Sequence, residues 1–329
     1  MNSDDIISLF EAFVSKDEDK FYSVANKIIR DEERKKHVFV AEKLKNIVSE
    51  KSSNRKLIYK MPPIPRDNEK GFKLLDVKNF LLGWDDLIVS ESVKNSVQTL
   101  ISEIKNEELL ETYGLTPNRK LLFYGPPGTG KTLTAKVLSS ILGYPLVVVK
   151  FEAVISSYLG ETSTNLRKIF DFIEEGQWVV LFDEFDVVGK KRDDPTEHGE
   201  IKRVVNNFML MLEDYSGESI ILASTNHPHI LDNAVWRRFD DVVYFDMPDK
   251  TRRELLFRKN LRVIKKEEID FSKLATMTKN FSGADIERAC LNAVKKSILG
   301  DENILNYDTL RNSIDFEKKR IECQNKVIK

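Results

Sequence analysis

Two short stretches hold residues whose types and spacing can do chemistry. Gly125-Pro126-Pro127-Gly128-Thr129-Gly130-Lys131-Thr132 satisfies the pattern G-x-x-x-x-G-K-[ST] and lies between an apolar run and a helical stripe. Glycines there let successive backbone N–H groups curl around a β-phosphate. Lys131 can bridge β- and γ-phosphates, and the Thr132 hydroxyl suits Mg2+. Leu133, next along, joins the candidate nucleotide contacts. The second stretch, Val179-Val180-Leu181-Phe182-Asp183-Glu184, ends an apolar run in two adjacent carboxylates. Asp183 would hold the Mg2+ shell, and Glu184 would polarise an attacking water as general base. Such a pair alone is as often a solvated strand end. Beside the glycine loop it implies hydrolysis of ATP, with Mg2+ as cofactor.

That chemistry needs a scaffold in which the loop leaves a strand to open a helix and the carboxylates end a strand of the same sheet. Short β-rich apolar runs at 121–124, 146–149, 178–182, 220–222 and 242–245 alternate with helical stripes. One stripe is Leu166, Ile169, Phe170 and Ile173; another is Ile201, Val204, Val205, Phe208, Met211 and Leu212. Continuous apolar strands separated by helices predict an α/β fold, a parallel five-stranded sheet with flanking helices over 72–248. After Pro248 only helical periodicity remains, so 249–329 is expected to form a small all-helical lid and C-terminal helices. Ahead of the sheet, stripes at Ile6, Leu9, Phe10 and Phe13, at Phe21, Val24, Ala25, Ile28 and Ile29, and at Val38, Ala41, Leu44 and Val48 predict a helical bundle over 1–51. Met61-Pro62-Pro63-Ile64-Pro65 favours extended chain, so 52–71 reads as a linker.

With these motifs in place, the region from about residue 80 to 299 resembles the AAA family of ATPases. Ser224-Thr225-Asn226 looks like that family's first sensor, which implies Asn226 near the γ-phosphate and the lytic water. The stretch from Leu231 to Asp240 is similar to its second region of homology, and by that resemblance Arg237 and Arg238 are arginine fingers serving a neighbouring subunit's site. Ser157-Tyr158-Leu159-Gly160-Glu161 resembles the central-pore loop, with Tyr158, Leu159 and Gly160 gripping an extended polypeptide. Ser157 departs from the basic residue often found before the aromatic. The charged stretch 189–199 would be a second pore loop or simply a solvated one. Trp84-Asp85-Asp86-Leu87-Ile88-Val89 resembles the segment holding the adenine, through Leu87 and Ile88, although Val89-Ser90 replaces the usual glycine. Ser282-Gly283-Ala284-Asp285 opens a helix as in the narrower AAA clade, Ser282 capping it and Ala284 joining the nucleotide contacts. Arg237-Arg238-Phe239 without an intervening Pro-Gly resembles the group containing katanin and spastin. The resemblance implies a homo-oligomer, a hexameric ring that remodels, unfolds or threads protein, with the 1–51 bundle binding a partner.

Composition narrows the alternatives. The 329 residues carry 52 basic and 53 acidic side chains, a net charge of −1, which argues against a nucleic-acid partner held by bulk electrostatics. No apolar run reaches the ~18 residues of a membrane span. The acidic start, Met1-Asn2-Ser3-Asp4-Asp5, is unlike a secretory signal, and two cysteines fit a reducing compartment, so a cytoplasmic protein is expected. No His-Glu-x-x-His is present, so any degradation would need another chain. Two rival readings keep the same core: an ATP-gated interaction scaffold, and a nucleic-acid-remodelling ATPase.

Overall fold

The computed structural model describes residues 3–14, 24–25, 27–28, 31, 61–68, 71–150, 154, 159–185, 195–262, 264–300 and 304–327. The chain divides into two units, Met1–Pro62 and Pro63–Lys329. In the first, helix α1 (Ser3–Val14) is described, and Ala12, Ala25 and Ile28 are buried. Phe10 departs from its expected inward place: it is exposed with Ile7 and Val14, because that i, i+3, i+7 face is opposite the one carrying Ala12. The stripes expected at 21–29 and 38–48 fall largely outside the described residues.

The second unit is built on one sheet, ordered β1-β3-β4-β5-β2-β6, with β1 (Leu75–Lys78), β2 (Lys120–Tyr124), β3 (Leu146–Val149), β4 (Val179–Phe182), β5 (Ile220–Thr225) and β6 (Asp241–Tyr244). The five expected strands are present and parallel. A sixth, β1, corrects the five-stranded count: it pairs antiparallel with β3, Leu75 opposite Val149. An edge strand needs only one buried face, so Leu75-Asp76-Val77-Lys78 shows no apolar run. Central strands are buried on both faces, every residue of β4 and β5 being inaccessible. Alternation sends Leu121 and Phe123 to one layer, against α2 (Glu91–Lys105) and α4 (Lys131–Leu142), which lie before and after the short α3 (Glu107–Thr112). Leu122 joins the other layer, under α5 (Leu159–Glu174) and α6 (Pro195–Asp214). α5 begins at Leu159, ahead of the stripe Leu166, Ile169, Phe170 and Ile173. Leu159 and Gly160 therefore open a helix rather than end a loop, since first-turn N–H groups need no intrahelical partner and tolerate a glycine.

The residues around Pro65 are folded onto this unit. Leu74 N–H donates to Pro65 O at 3.0 Å, buried Asp67 accepts from Asn165 Nδ2 at 2.9 Å, and Lys168 Nζ donates to Arg66 O at 2.9 Å. After the short α7 (Asn233–Trp236) and β6, helices α8 (Lys250–Asn260), α9 (Phe271–Met277), α10 (Gly283–Leu299) and α11 (Tyr307–Val327) form their own core around Phe257, Leu274, Ile286, Cys290 and Ile314. Burial holds the Cys290 thiol far above its ordinary range, so it is a packing residue. The crossing from sheet to helices is pinned by Arg252, whose two terminal nitrogens reach Asp246 at 2.8 and 2.6 Å, and by Arg253 NH1 on Pro248 O at 2.6 Å.

Candidate functional site

Because β2, β4 and β5 run parallel with β5 in the middle, their C-terminal ends bring three segments to one edge: the 125–132 loop, Asp183-Glu184 and Asn226. Two glycines of the loop admit no side chain. Gly125 has φ +142, and a Cβ there would stand 2.1 Å from the Phe245 carbonyl oxygen. Gly128 has φ +75, and its Cβ would stand 2.6 Å from Ser282 Oγ and 2.9 Å from the Ala284 methyl. Lys131 is buried, its ammonium donating to Gly125 O at 2.7 Å and Pro126 O at 2.9 Å. Thr132 Oγ1 donates to Asp183 Oδ2 at 2.8 Å, and Ser224 Oγ donates to Asp183 Oδ1. A hydroxyl and a carboxylate in contact at a phosphate loop are the hard oxygen donors that Mg2+ takes, with phosphate and water completing its shell, so the residues present fit that ion.

Glu184 follows in the left-handed region at φ 53, unlike any other described non-glycine residue. Its side chain is exposed and its N–H donates to Asp183 Oδ1 at 3.1 Å. A carboxylate aimed into solvent beside a phosphate loop can hold and deprotonate a water.

A cavity of about 510 Å³ gathers most of the expected residues: Leu87 and Ile88 at one end, then Pro127, Gly128, Thr129, Gly130, Lys131, Thr132 and Leu133, with Asp183, Glu184, Asn226 and Ala284. The volume suits a nucleotide. Gly125 and Pro126 do not line it; their carbonyls hold Lys131, which does. Ala284 N–H donates to Gly128 O at 3.2 Å, so the first turn of α10 sits directly on the loop. Ser282 and Asp285 form the expected reciprocal cap there, Ser282 N–H reaching Asp285 Oδ2 at 2.8 Å.

Sequence reasoning missed the wall formed by α8. Leu256, Lys259 and Asn260 line the cavity beside Asp86, and Lys136 and Glu287 also contribute. The signal was present: Leu256, Lys259 and Asn260 stand at i, i+3 and i+4, one helical face with one apolar and two polar members. Lys259 Nζ donates to the Asp86 carbonyl, and burial pushes its pKa below the ordinary lysine value.

The two arginines part company. Arg238 is tied within the chain, Nε to Glu213 Oε1 at 2.9 Å and NH1 to Ala234 O at 3.0 Å. Arg237, at the C-cap of α7, donates its backbone N–H to Val235 O, but its side chain is exposed and has no hydrogen bond or ion pair among the described residues. Neither lines the cavity of its own chain. Tyr158 and most of the 189–199 stretch lie outside the described residues, while 195–199 belongs to α6.

A glycine loop between β2 and α4, with carboxylates ending β4 of the same parallel sheet, defines a phosphate-loop nucleotide-binding protein. The family model for "ATPase family associated with various cellular activities (AAA)" matches residues 121–247. The chain is 35% identical over 295 residues to an uncharacterized AAA family ATPase, y4kL, of Sinorhizobium fredii, covering 88% of this chain and 87% of that one. The chain therefore belongs to the AAA family of ATPases, and its reaction is ATP hydrolysis. Among the described residues no helix is long and apolar enough to cross a membrane.

Proposed function

We propose that this protein is a cytoplasmic ring ATPase, a hexamer, that uses Mg2+-ATP to remodel, unfold or thread protein substrates. Arg237 carries the proposal: an exposed guanidinium, unpaired among the described residues and outside its own chain's cavity, suits a charge lent to a neighbouring site. Within one chain the proposed roles are these. Lys131 and the loop N–H groups would hold the phosphates, while Thr132 and Asp183 would hold Mg2+, whose positive charge would offset that of the phosphates. Glu184 takes the water's proton, Asn226 orients that water, and Leu87, Ile88 and Ala284 enclose the base and sugar. Support for a protein substrate is the likeness of Tyr158-Leu159-Gly160 to a pore loop, immediately ahead of or opening α5. Arg237-Arg238-Phe239 favours the katanin and spastin group, and residues 1–51 would bind a partner. The cytoplasmic placement rests on the free cysteines Cys290 and Cys323.

The test is turnover against binding. Glu184→Gln should keep nucleotide affinity, lose about 10²- to 10⁴-fold in kcat, and accumulate assembled rings in ATP, whereas Lys131→Ala should lose nucleotide binding. Tyr158→Ala should abolish substrate processing while sparing ATPase activity. Wild-type turnover by Glu184→Gln would sink the assignment of the base. Turnover stimulated by DNA or RNA, with a steep salt dependence, would replace the protein substrate with a nucleic acid.

A further inference from the structure

The phosphate loop is held at two points of very different kind. At Gly125 it lies against the end of β6. At Gly128 it leans on the first turn of α10, through the Ala284 N–H and the close approach of Ser282. Pro126, Pro127 and Gly128 also line a second cavity of about 800 Å³, together with Ser282, Asp285 and Arg288. At Gly128 the contact that bounds the loop is the α10 turn.

That turn is the end of a continuous polar chain reaching the last helix. Asp285 accepts from Ser282 N–H through Oδ2, and its other oxygen takes the Arg288 guanidinium. Arg288 Nε continues to Glu317 Oε1 on α11 at 2.9 Å. Glu317 is 1% exposed and also receives Arg320 NH1 at 3.0 Å. A carboxylate that deeply buried is tolerable only while its cations stay in place, so it fixes Arg288 as firmly as Arg288 fixes Asp285.

We propose that Glu317 is a positioning residue for nucleotide binding, acting through Arg288 and Asp285 on the α10 turn that bears on Gly128. The C-terminal helix thereby sets phosphate-loop geometry without touching the nucleotide. The inference rests on the 125–132 loop being the phosphate cradle. A contiguous network of this type transmits effects of about three- to tenfold in affinity.

The experiment compares the full-length protein with Glu317→Gln, Arg288→Gln and Arg320→Gln, measuring ADP affinity by calorimetry, steady-state KM and kcat for ATP, and nucleotide-free melting temperature. Expected are ADP Kd and ATP KM raised together by about three- to tenfold in Glu317→Gln and Arg288→Gln, with kcat within about twofold. Arg320→Gln removes the other cation on Glu317 but leaves the Arg288–Asp285 contact in place, so it should raise Kd and KM less than Arg288→Gln does. Arg288 is partly exposed, so its variant carries the test if Glu317→Gln fails to fold. A lowered melting temperature with wild-type Kd and KM overturns the inference, since that is what a purely structural ion pair would give. Lys131→Ala, run alongside, separates the two readings. Its wild-type ADP affinity would overturn the cradle and the inference together. Its loss of affinity, with the Glu317 and Arg288 variants unaffected, overturns the inference alone.

Discussion

Glu184 concentrates the tension between folding and chemistry in one residue. Its left-handed backbone, φ 53, is a conformation that a side chain with a Cβ adopts at a cost of about 1–3 kcal/mol. Asparagine tolerates that region better, because its short polar side chain can bond locally. Glu184→Asn should therefore raise stability by about 0.5–1 kcal/mol while lowering turnover by about 10²- to 10⁴-fold, since a neutral amide is not basic enough to take a proton. Calorimetric unfolding alongside an ATPase assay checks both halves. A variant that is destabilised as well as inactive would show that the strain is not relieved by the change, and that Glu184 contributes contacts in addition to chemistry.

Among the elements, the crossing from β6 to α8 determines how the helical subdomain is carried. Hydrogen bonding to Arg252 holds the Asp246 carboxyl below its ordinary pKa, and the Arg252 backbone N–H does the same for Asp249. A depressed folded pKa means stabilisation fully present above the ordinary value near 4 and lost as pH falls through the folded value. Unfolding midpoints in denaturant between pH 7 and pH 3 should thus drop more steeply in the wild type than in Arg252→Gln below about pH 4. The difference should amount to about 1 kcal/mol or less, because both carboxylates face solvent. Parallel acid limbs in the two proteins would mean that the Arg252 contacts add nothing to stability. Elements of this sort also show what a sequence conveys. Strands β2 to β5 were legible because burial on both faces demands unbroken apolar runs, and the edge strand β6 because Val242 to Phe245 is apolar throughout. The phosphate loop and the strand-end carboxylates were legible because the chemistry tolerates few substitutes. Strand β1 was hidden by its single buried face, and the α8 wall by a face that reads like any solvated helix. The contact of Gly128 with Ser282 and Ala284 joins residues more than 150 positions apart, a juxtaposition no local pattern encodes.

For the whole molecule, the question is whether one chain completes another's site. The two arginines make the proposal specific, because Arg238 is occupied by Glu213 and the Ala234 carbonyl while Arg237 is not. Arg237→Ala should cost more turnover than Arg238→Ala, up to about 10³-fold or beyond for an arginine acting in trans, with nucleotide affinity little changed. Complementation makes the argument decisive. In the proposed head-to-tail ring the loop of one chain would stand against the arginine of the next, so each seam would draw its two halves from different copies. Lys131→Ala and Arg237→Ala chains would each be inactive alone. Mixed in equal amounts under assembling conditions, they would create seams with an intact loop from the second variant and an intact arginine from the first, about a quarter of all seams if mixing is random. Recovery of ATPase activity on mixing, rising with total protein concentration, is the expected result. Were the mixture as inactive as its parts, although mass measurement showed both variants in the same assembly, Arg237 would have to act on its own chain or not at all, and the shared site would be lost with it.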